Sequence, residues 1–261
     1  MKFLALDTST EACSVALYVN GDVIALDEVC PQQHSKRILP MVQQMLAQAQ
    51  LNLSQLDGLV FGRGPGSFTG VRIGVGVVQG LAFGVDRPVY GVSTLQAMAQ
   101  ASLDSNDDHV GAPLCFSTID ARMAEIYCAA FLRDAQGVMQ PLSDEMAIKP
   151  AQLAAHLAGL LPPASIGNNA DCAIAGTGWQ SYADVLRSTF QTHQPQLRLQ
   201  GWCAADLNTP AQPRPGLLLP SARHMFAQAI PAWQQGAFVA ANLAEPVYVR
   251  DEVTWQKLPG R

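Results

Sequence analysis

At 261 residues, half of them hydrophobic, the chain has room for one large domain or two small ones. A net charge of −5 with only four lysines argues against unaided binding to nucleic acid, which needs a basic footprint, but allows membership of a complex in which a partner holds the RNA. No run approaches the roughly 18–20 apolar residues of a membrane span, since the longest candidate, 75–85, is interrupted by Gln79; the six cysteines, at 13, 30, 115, 128, 172 and 203, hold no CxxC pair and read as reduced, buried small hydrophobes.

The N-terminal MKFLALD ends its apolar run at Asp7, too short for a secretory signal, so residues 2–8 read as a first strand and the protein as cytoplasmic. Strands at 13–20 and 22–30 flank Asn20-Gly21, a strong signal for a hairpin with a type I′ turn. A helix follows at about 35–50, with Ile38, Val42, Met45, Leu46 and Ala49 on one stripe and Pro40 either kinking it or lying in its first turn. A strand at 57–62, a helix at 67–83, a strand at 88–93 and a helix at 94–103 complete a βββαβαβα unit. Residues 104–112 are polar and read as a linker. The order then partly repeats: strands at 114–120, 125–133 and 143–149, a helix at 150–161, a strand at 171–176 and a helix at 180–191, with 162–170 as an insert. Residues 193–220, rich in proline and glutamine, read as irregular. A helix at 220–236, with Pro231 as its candidate kink, and a strand near 246–250 close the chain. The expected division is a lobe at 1–103, a second at 110–220, and a C-terminal helix and strand at 221–261 packing back on the first.

The stretch 61–84, FGRGPGSFTGVRIGVGVVQGLAFG, is the most informative. A helix interior disfavours glycine by about 1 kcal/mol each relative to alanine. Glycines at one-turn spacing leave a face where another backbone comes very close, inside the chain or between chains. The helix has almost no polar residue besides Arg72 and Gln79, and a helix apolar nearly all round is buried on all sides. Either both helices of the pair 35–50 and 67–83 pack wholly on the first sheet, or their outer faces form a partner interface. The second reading draws on Leu39, Met41 and Gln43 from the first helix and on Phe68, Val71, Arg72, Val75, Val78 and Gln79 from the second. A large charged residue at Val71 or Val75 is then expected to weaken pairing without unfolding the chain.

A duplicated βββαβα unit whose first strands are joined by Asp7-Thr8-Ser9-Thr10 resembles the actin and hexokinase ATPase superfamily. The blocks MKFLALDTSTEACSVAL, HSKRILPMVQQML, GRGPGSFTGVRIGVGVVQGLAFG, GVSTL, IDARMAEIY, GTGW and AEPVYVR cover nearly the whole chain and are similar to those of the TsaB (YeaZ) family. The resemblance implies an α/β fold of two actin-like, ribonuclease H-like lobes. It implies a non-catalytic subunit that pairs with a larger paralogue, TsaD, and with the TsaE ATPase supports transfer of a threonylcarbamoyl group to the N6 of the adenosine next to the anticodon of tRNAs. It further implies a homodimer in isolation through the same helical surface, tRNA contact only through the complex, and no tightly bound cofactor, with ATP or ADP and magnesium placed at most at the partner interface.

Each candidate nucleotide contact has two readings. Asp7, Thr8 and Ser9 either keep a phosphate or magnesium contact, or Asp7 holds the turn through side chain to backbone hydrogen bonds. The second phosphate turn falls on Asp120-Ala121-Arg122-Met123-Ala124, where the aspartate is kept but the glycines that let backbone N–H groups reach a phosphate are not. Arg122 pairs either with an anion or, the favoured reading, with a carboxylate such as Glu125. Gly176-Thr177-Gly178-Trp179 stands where an adenosine loop belongs, and Trp179 either fills the nucleotide pocket, the favoured reading, or stacks on a base. The His-x-x-x-His metal pair of the paralogous family falls on Thr94 and Met98, neither a ligand for that metal; the five histidines are scattered and Cys30 with His34 is too small a set, so no metal site is expected. There is no GxxxxGK[ST] and no GxSxG, and Ser67 has no base nearby in sequence. The alternative function is a self-sufficient ATPase or small-molecule kinase using Asp7 and Asp120 around magnesium.

Overall fold

The computed structural model describes residues 1–103, 112–162, 170–200 and 215–250. Two mixed sheets of the same connectivity lie one per lobe. In the first, β1 (Lys2–Asp7), β2 (Ala12–Val19) and β3 (Asp22–Val29) form an antiparallel meander, and β4 (Gly58–Gly62) and β5 (Val89–Val92) join β1 in parallel, giving the order β3-β2-β1-β4-β5. The β2–β3 turn has Asn20 at φ +52° and Gly21 at φ +115°, the positive pair a type I′ turn requires. In the second, β6 (Leu114–Arg122), β7 (Glu125–Arg133) and β8 (Met139–Pro141) repeat the meander, β9 (Met146–Ile148) pairs with the other half of β7, and β10 (Ala170–Ala175) and β11 (Leu197–Gln200) add in parallel. The chain is thus an α/β protein of two lobes that repeat one strand order.

Alternation along β1 divides the first lobe's core. Leu4 and Leu6 face α1 (His34–Gln48) and α2 (Phe68–Val85), which lie on one side of the sheet; Phe3 and Ala5 face the other side. That other side is covered by residues from the far end of the sequence, the 3₁₀ turn Ala222–Met225 and α8 (Phe226–Gln234), with Met225, Phe226 and Ala229 against Phe3 and Ala5. The return is pinned where it meets the sheet: Ser221 Oγ donates to Asp27 Oδ2 at 3.1 Å and the Ala222 N–H to Ser14 Oγ at 2.7 Å. Between the lobes lies α3 (Thr94–Ala101). Its Leu95, Met98 and Ala99 pack with Cys115, Ile119, Ala129 and Phe131 of the second sheet and with Leu217 of α7 (Pro215–Leu218). The outer side of the second sheet is closed by Leu153, by α4 (Leu157–Leu160), and by Trp179, Leu186 and Phe190 of α5 (Thr177–Ser181) and α6 (Ala183–His193).

Several details differ from the sequence reading. The expected strand at 143–149 is two three-residue strands, β8 and β9, on opposite ends of β7. The helix at 150–161 is a 3₁₀ segment, Pro150–Ala155, followed by one turn of α-helix, and the helix at 180–191 is the pair α5 and α6, broken at Tyr182. The stretch 193–220 contains β11 and α7; its part 201–214, most of the linker 104–112 and most of the insert 162–170 lie outside the described residues. No strand forms at 246–250, which runs extended beside a loop. Pro40 is in the interior of α1, on its exposed side, where water can take the carbonyl it leaves without a partner. α2 itself, at 18 residues and a mean hydropathy of 1.4, is long and apolar enough by composition to cross a bilayer, contrary to the reading above, yet one face of it is seated on the sheet.

The glycines of 66–84 fall into two sets. A Cβ on Gly66 would lie 2.3 Å from the Ser9 carbonyl oxygen, one on Gly70 2.1 Å from that of Thr8, and one on Gly74 2.8 Å from Thr8 Oγ1; at Gly76, Gly80 and Gly84 a Cβ would meet nothing within 4 Å among the described residues. The first set lets α2 touch the turn after β1, and the second is an outward face without side chains. Gly70→Ala is therefore expected to lower the unfolding free energy by about 2–3 kcal/mol through overpacking, and Gly80→Ala to raise it by about 1 kcal/mol through helix propensity, both read from urea denaturation. Val71 and Val75 are 2% and 5% exposed in the first lobe's own core. Contrary to the expectation above, Val75→Glu should cost on the order of 4 kcal/mol or more and lose the cooperative thermal transition, because it buries an uncompensated charge.

Candidate functional site

The cleft between the lobes is a cavity of about 430 Å³. It is lined by the turn after β1 (Ser9, Thr10, Glu11), by His34, by the entry to α2 (Gly66, Ser67, Phe68), by the β6–β7 turn (Asp120, Ala121, Arg122), and by Tyr127 and Arg250. Ser67 caps α2, its Oγ accepting the Gly70 N–H at 3.3 Å.

Asp7 does not line this cleft. It is 1% exposed, and its Oδ1 accepts the Ser9 N–H at 2.8 Å and the Ser9 hydroxyl at 2.7 Å. Oδ2 is buried without a hydrogen-bond partner among the described residues, and a Cβ on Gly62 would fall on it. Burial pushes its carboxyl up to about 6, against the two Ser9 hydrogen bonds and the attraction of His34, which act in the opposite direction. Thr8 is equally committed, its hydroxyl donating to the Gly70 carbonyl at 2.7 Å, and Ser9 Oγ accepts from the Thr94 hydroxyl at 3.1 Å. Of the three, Ser9 alone reaches the cavity wall.

The other two turns are occupied in the same way. Asp120 accepts the Arg122 N–H at 2.9 Å and the Ser181 hydroxyl at 3.1 Å, while its own N–H donates to Thr177 Oγ1 at 3.0 Å. Arg122 pairs with Glu11 of the first lobe at 2.8 Å rather than with Glu125, because the left-handed backbone at Arg122, φ +63°, turns its side chain across the cleft. Gly176, at φ +101°, and Gly178 lie against Thr118, where a Cβ on either would clash; Trp179 is fully buried, its Nε1 donating to the Phe116 carbonyl at 3.1 Å. Trp179 therefore fills the core of the second lobe. Thr94 and Met98, at the positions of the paralogue's metal pair, are fully buried, and no group of three or more His, Cys, Asp or Glu among the described residues could hold a metal.

The candidate interface residues separate by burial. Leu39, Gln43, Phe68 and Arg72 are exposed and Gln79 is half-buried, its amide donating to the Ala244 carbonyl at 2.9 Å. Met41, Val71, Val75 and Val78 are at most 5% exposed and face the first lobe's own sheet, so they are not available to a partner. The outward face of α2 is instead Arg72, Gly76, Gly80, Phe83 and Gly84, with Phe83 82% exposed. Phe83 was not among the sequence candidates. Nor were Tyr127, Tyr248 and Arg250, which adjoin the cleft; Tyr248 and Arg250 come from the AEPVYVR block, whose distance in sequence conceals where it returns.

The Asp7 carboxyl carries a proton in the folded state to higher pH than in the unfolded chain. The native state thus binds more protons between about pH 4 and pH 6, so this group's contribution to stability falls as pH rises through that window and is level above it. Asp7→Asn should match the parent in thermal unfolding near pH 4 and exceed it by about 3 kcal/mol at pH 7.5.

A family model described as TsaD, tRNA N6-adenosine threonylcarbamoyltransferase, matches residues 26–255. The chain is 40% identical over 261 residues, the whole of both chains, to the tRNA threonylcarbamoyladenosine biosynthesis protein TsaB of Escherichia coli strain K12. It is 38% identical over 268 residues to the protein of the same name from Haemophilus influenzae, covering 100% of this chain and 98% of that one. Among solved structures, YeaZ from Pseudomonas aeruginosa aligns with a TM-score of 0.75 and 38% identity over 95% of this chain and 99% of that one. Identity of this order over the full length of both chains, together with the two-lobe fold, shows that the chain belongs to the TsaB (YeaZ) family of tRNA threonylcarbamoyladenosine biosynthesis proteins.

Proposed function

We propose that this chain is a non-catalytic subunit of the machinery that places a threonylcarbamoyl group on the N6 of the adenosine next to the anticodon, and that it works by docking the catalytic paralogue TsaD. The observation that carries this reading is the disposition of the three candidate phosphate and nucleotide turns and of the glycines. Asp7, Asp120 and Gly176 are used inside the fold, while Gly76, Gly80, Gly84 and Phe83 offer a helix face that no other described residue covers. A chain that a TsaD model matches over most of its length can stand in for one half of a TsaD-like pair, turning an isologous contact into a heteromeric one. On this reading the chain pairs with itself through the same face when alone, TsaE joins the pair, tRNA is met only through the complex, and any ATP or ADP with magnesium sits at the partner interface of a cytoplasmic assembly.

Reconstitution tests it: unmodified tRNA, ATP, threonine, bicarbonate, the adenylate-forming enzyme, TsaD and TsaE, with and without this chain. Modification should require the chain and survive Asp7→Asn and Asp120→Ala. Gly80→Leu, at a site with open space around it, should leave the fold intact, weaken association with TsaD by about tenfold or more in a titration, and reduce modification in step. Modification that proceeds without the chain refutes the proposal.

A further inference from the structure

The chain continues after α8, and residues 244–250 run on as an extended segment without helix or strand. Three of the first six of these residues, Ala244, Val247 and Tyr248, hydrogen-bond to the first lobe. Gln79 donates to the Ala244 carbonyl, the Val247 N–H donates to the Arg63 carbonyl at 2.8 Å, and Arg72 Nε donates to the Tyr248 hydroxyl at 2.6 Å. The Arg72 guanidinium also stacks 3.7 Å from the centre of the Phe68 ring, which lies 5.5 Å from that of Tyr248. At Arg250 the partners change lobe. Its Nη2 donates to Glu125 Oε2 at 2.6 Å and to the Ala121 carbonyl at 3.1 Å, and its guanidinium lies 5.7 Å from the Tyr127 ring.

Arg250 Nη1 also reaches Met123 Sδ at 3.6 Å, and all four lobe-two partners flank or belong to the β6–β7 turn. Arg122, Met123 and Ala124 there have φ of +63°, +56° and +59°, three successive left-handed residues of which none is glycine. Such a run persists only where surrounding contacts hold it. Two ion pairs do so from opposite sides of the cleft, and they differ in strength. Arg122 and Glu11 are 75% and 41% exposed, a pair that water and salt screen; Arg250 and Glu125 are 18% and 26% exposed, with the shorter contact and a second acceptor in Ala121.

We propose that residues 244–250 are a strap that holds the lobes closed over the cleft, that Arg250 is its anchor in the second lobe, and that the β6–β7 turn is the element freed when the anchor lets go. The packing of α3 between the sheets serves as the hinge and keeps the lobes joined. Release lengthens the reach between the turn and the entry to α2 and so opens the cavity they line.

Hydrogen exchange on the full-length chain tests this, with small-angle scattering in parallel. In Arg250→Met the amides of 120–126 should exchange about tenfold faster, those of β1 and β4 should be unchanged, and the radius of gyration should rise. Glu125→Gln should give the same pattern from the other partner, and Glu11→Gln a change within about threefold. The charge-exchanged double variant, Arg250→Glu with Glu125→Arg, should recover protection that Arg250→Glu alone loses. Unchanged exchange at 120–126 in both Arg250→Met and Glu125→Gln overturns the proposal. So does a rise that includes β1 and β4 equally, which would make Arg250 a general stabiliser, or a double variant no better protected than Arg250→Glu.

Discussion

Everything in the first lobe is arranged around one close approach, that of the α2 backbone to the turn after β1. Gly66, Gly70 and Gly74 admit the carbonyls and hydroxyl of Thr8 and Ser9 to distances that no side chain allows, and the Thr8 hydroxyl bonds the Gly70 carbonyl across the contact. Once that contact forms, Thr8 is committed to the helix and only the far side of the turn, from Ser9 onward, is left to line the cleft. The same contact sets the rotation of α2 about its axis. Val71, Val75 and Val78 go inward with the close glycines, and Gly76, Gly80 and Gly84 go outward.

Much of the architecture was legible because its signals are local. Asn20-Gly21 marked the hairpin, apolar runs marked the parallel strands, and the repeat of strand order marked the second lobe. What escaped was built from non-local partners. β11 is only four residues, Leu197–Gln200, and exists because β10 offers it a parallel edge. The segment around Val247 and Val249 alternates like a strand but lies beside the loop at Arg63, where it finds one backbone partner and no ladder.

The site was legible as motifs and not as directions. Asp7-Thr8-Ser9 could be recognised, yet which way its carboxylate points depends on Gly62, a residue more than fifty positions away that leaves the space Oδ2 occupies. The choice of Met41, Val71, Val75 and Val78 as partner-facing failed because a helix apolar on both sides does not declare which side is the core. A signal was present in the spacing: Gly70 and Gly74 are four apart, as are Gly76, Gly80 and Gly84, but the step from 74 to 76 is two residues, about 200° of helix rotation, so Gly76 faces away from Gly74 and starts a second ladder.

The return of residues 222–244 to the first lobe has a consequence for synthesis. Ala222, Met225, Phe226 and Ala229 complete the core around Phe3 and Ala5, and Ala241 and Ala244 close the one beneath α2. The strands of the second lobe all lie between 114 and 200. On the ribosome the N-terminal half emerges first but waits, with one face of its sheet uncovered, until residues beyond the second lobe's strands have been made. The lobe translated second is the one able to fold first, and the segment that completes the earlier lobe leaves the exit tunnel after it.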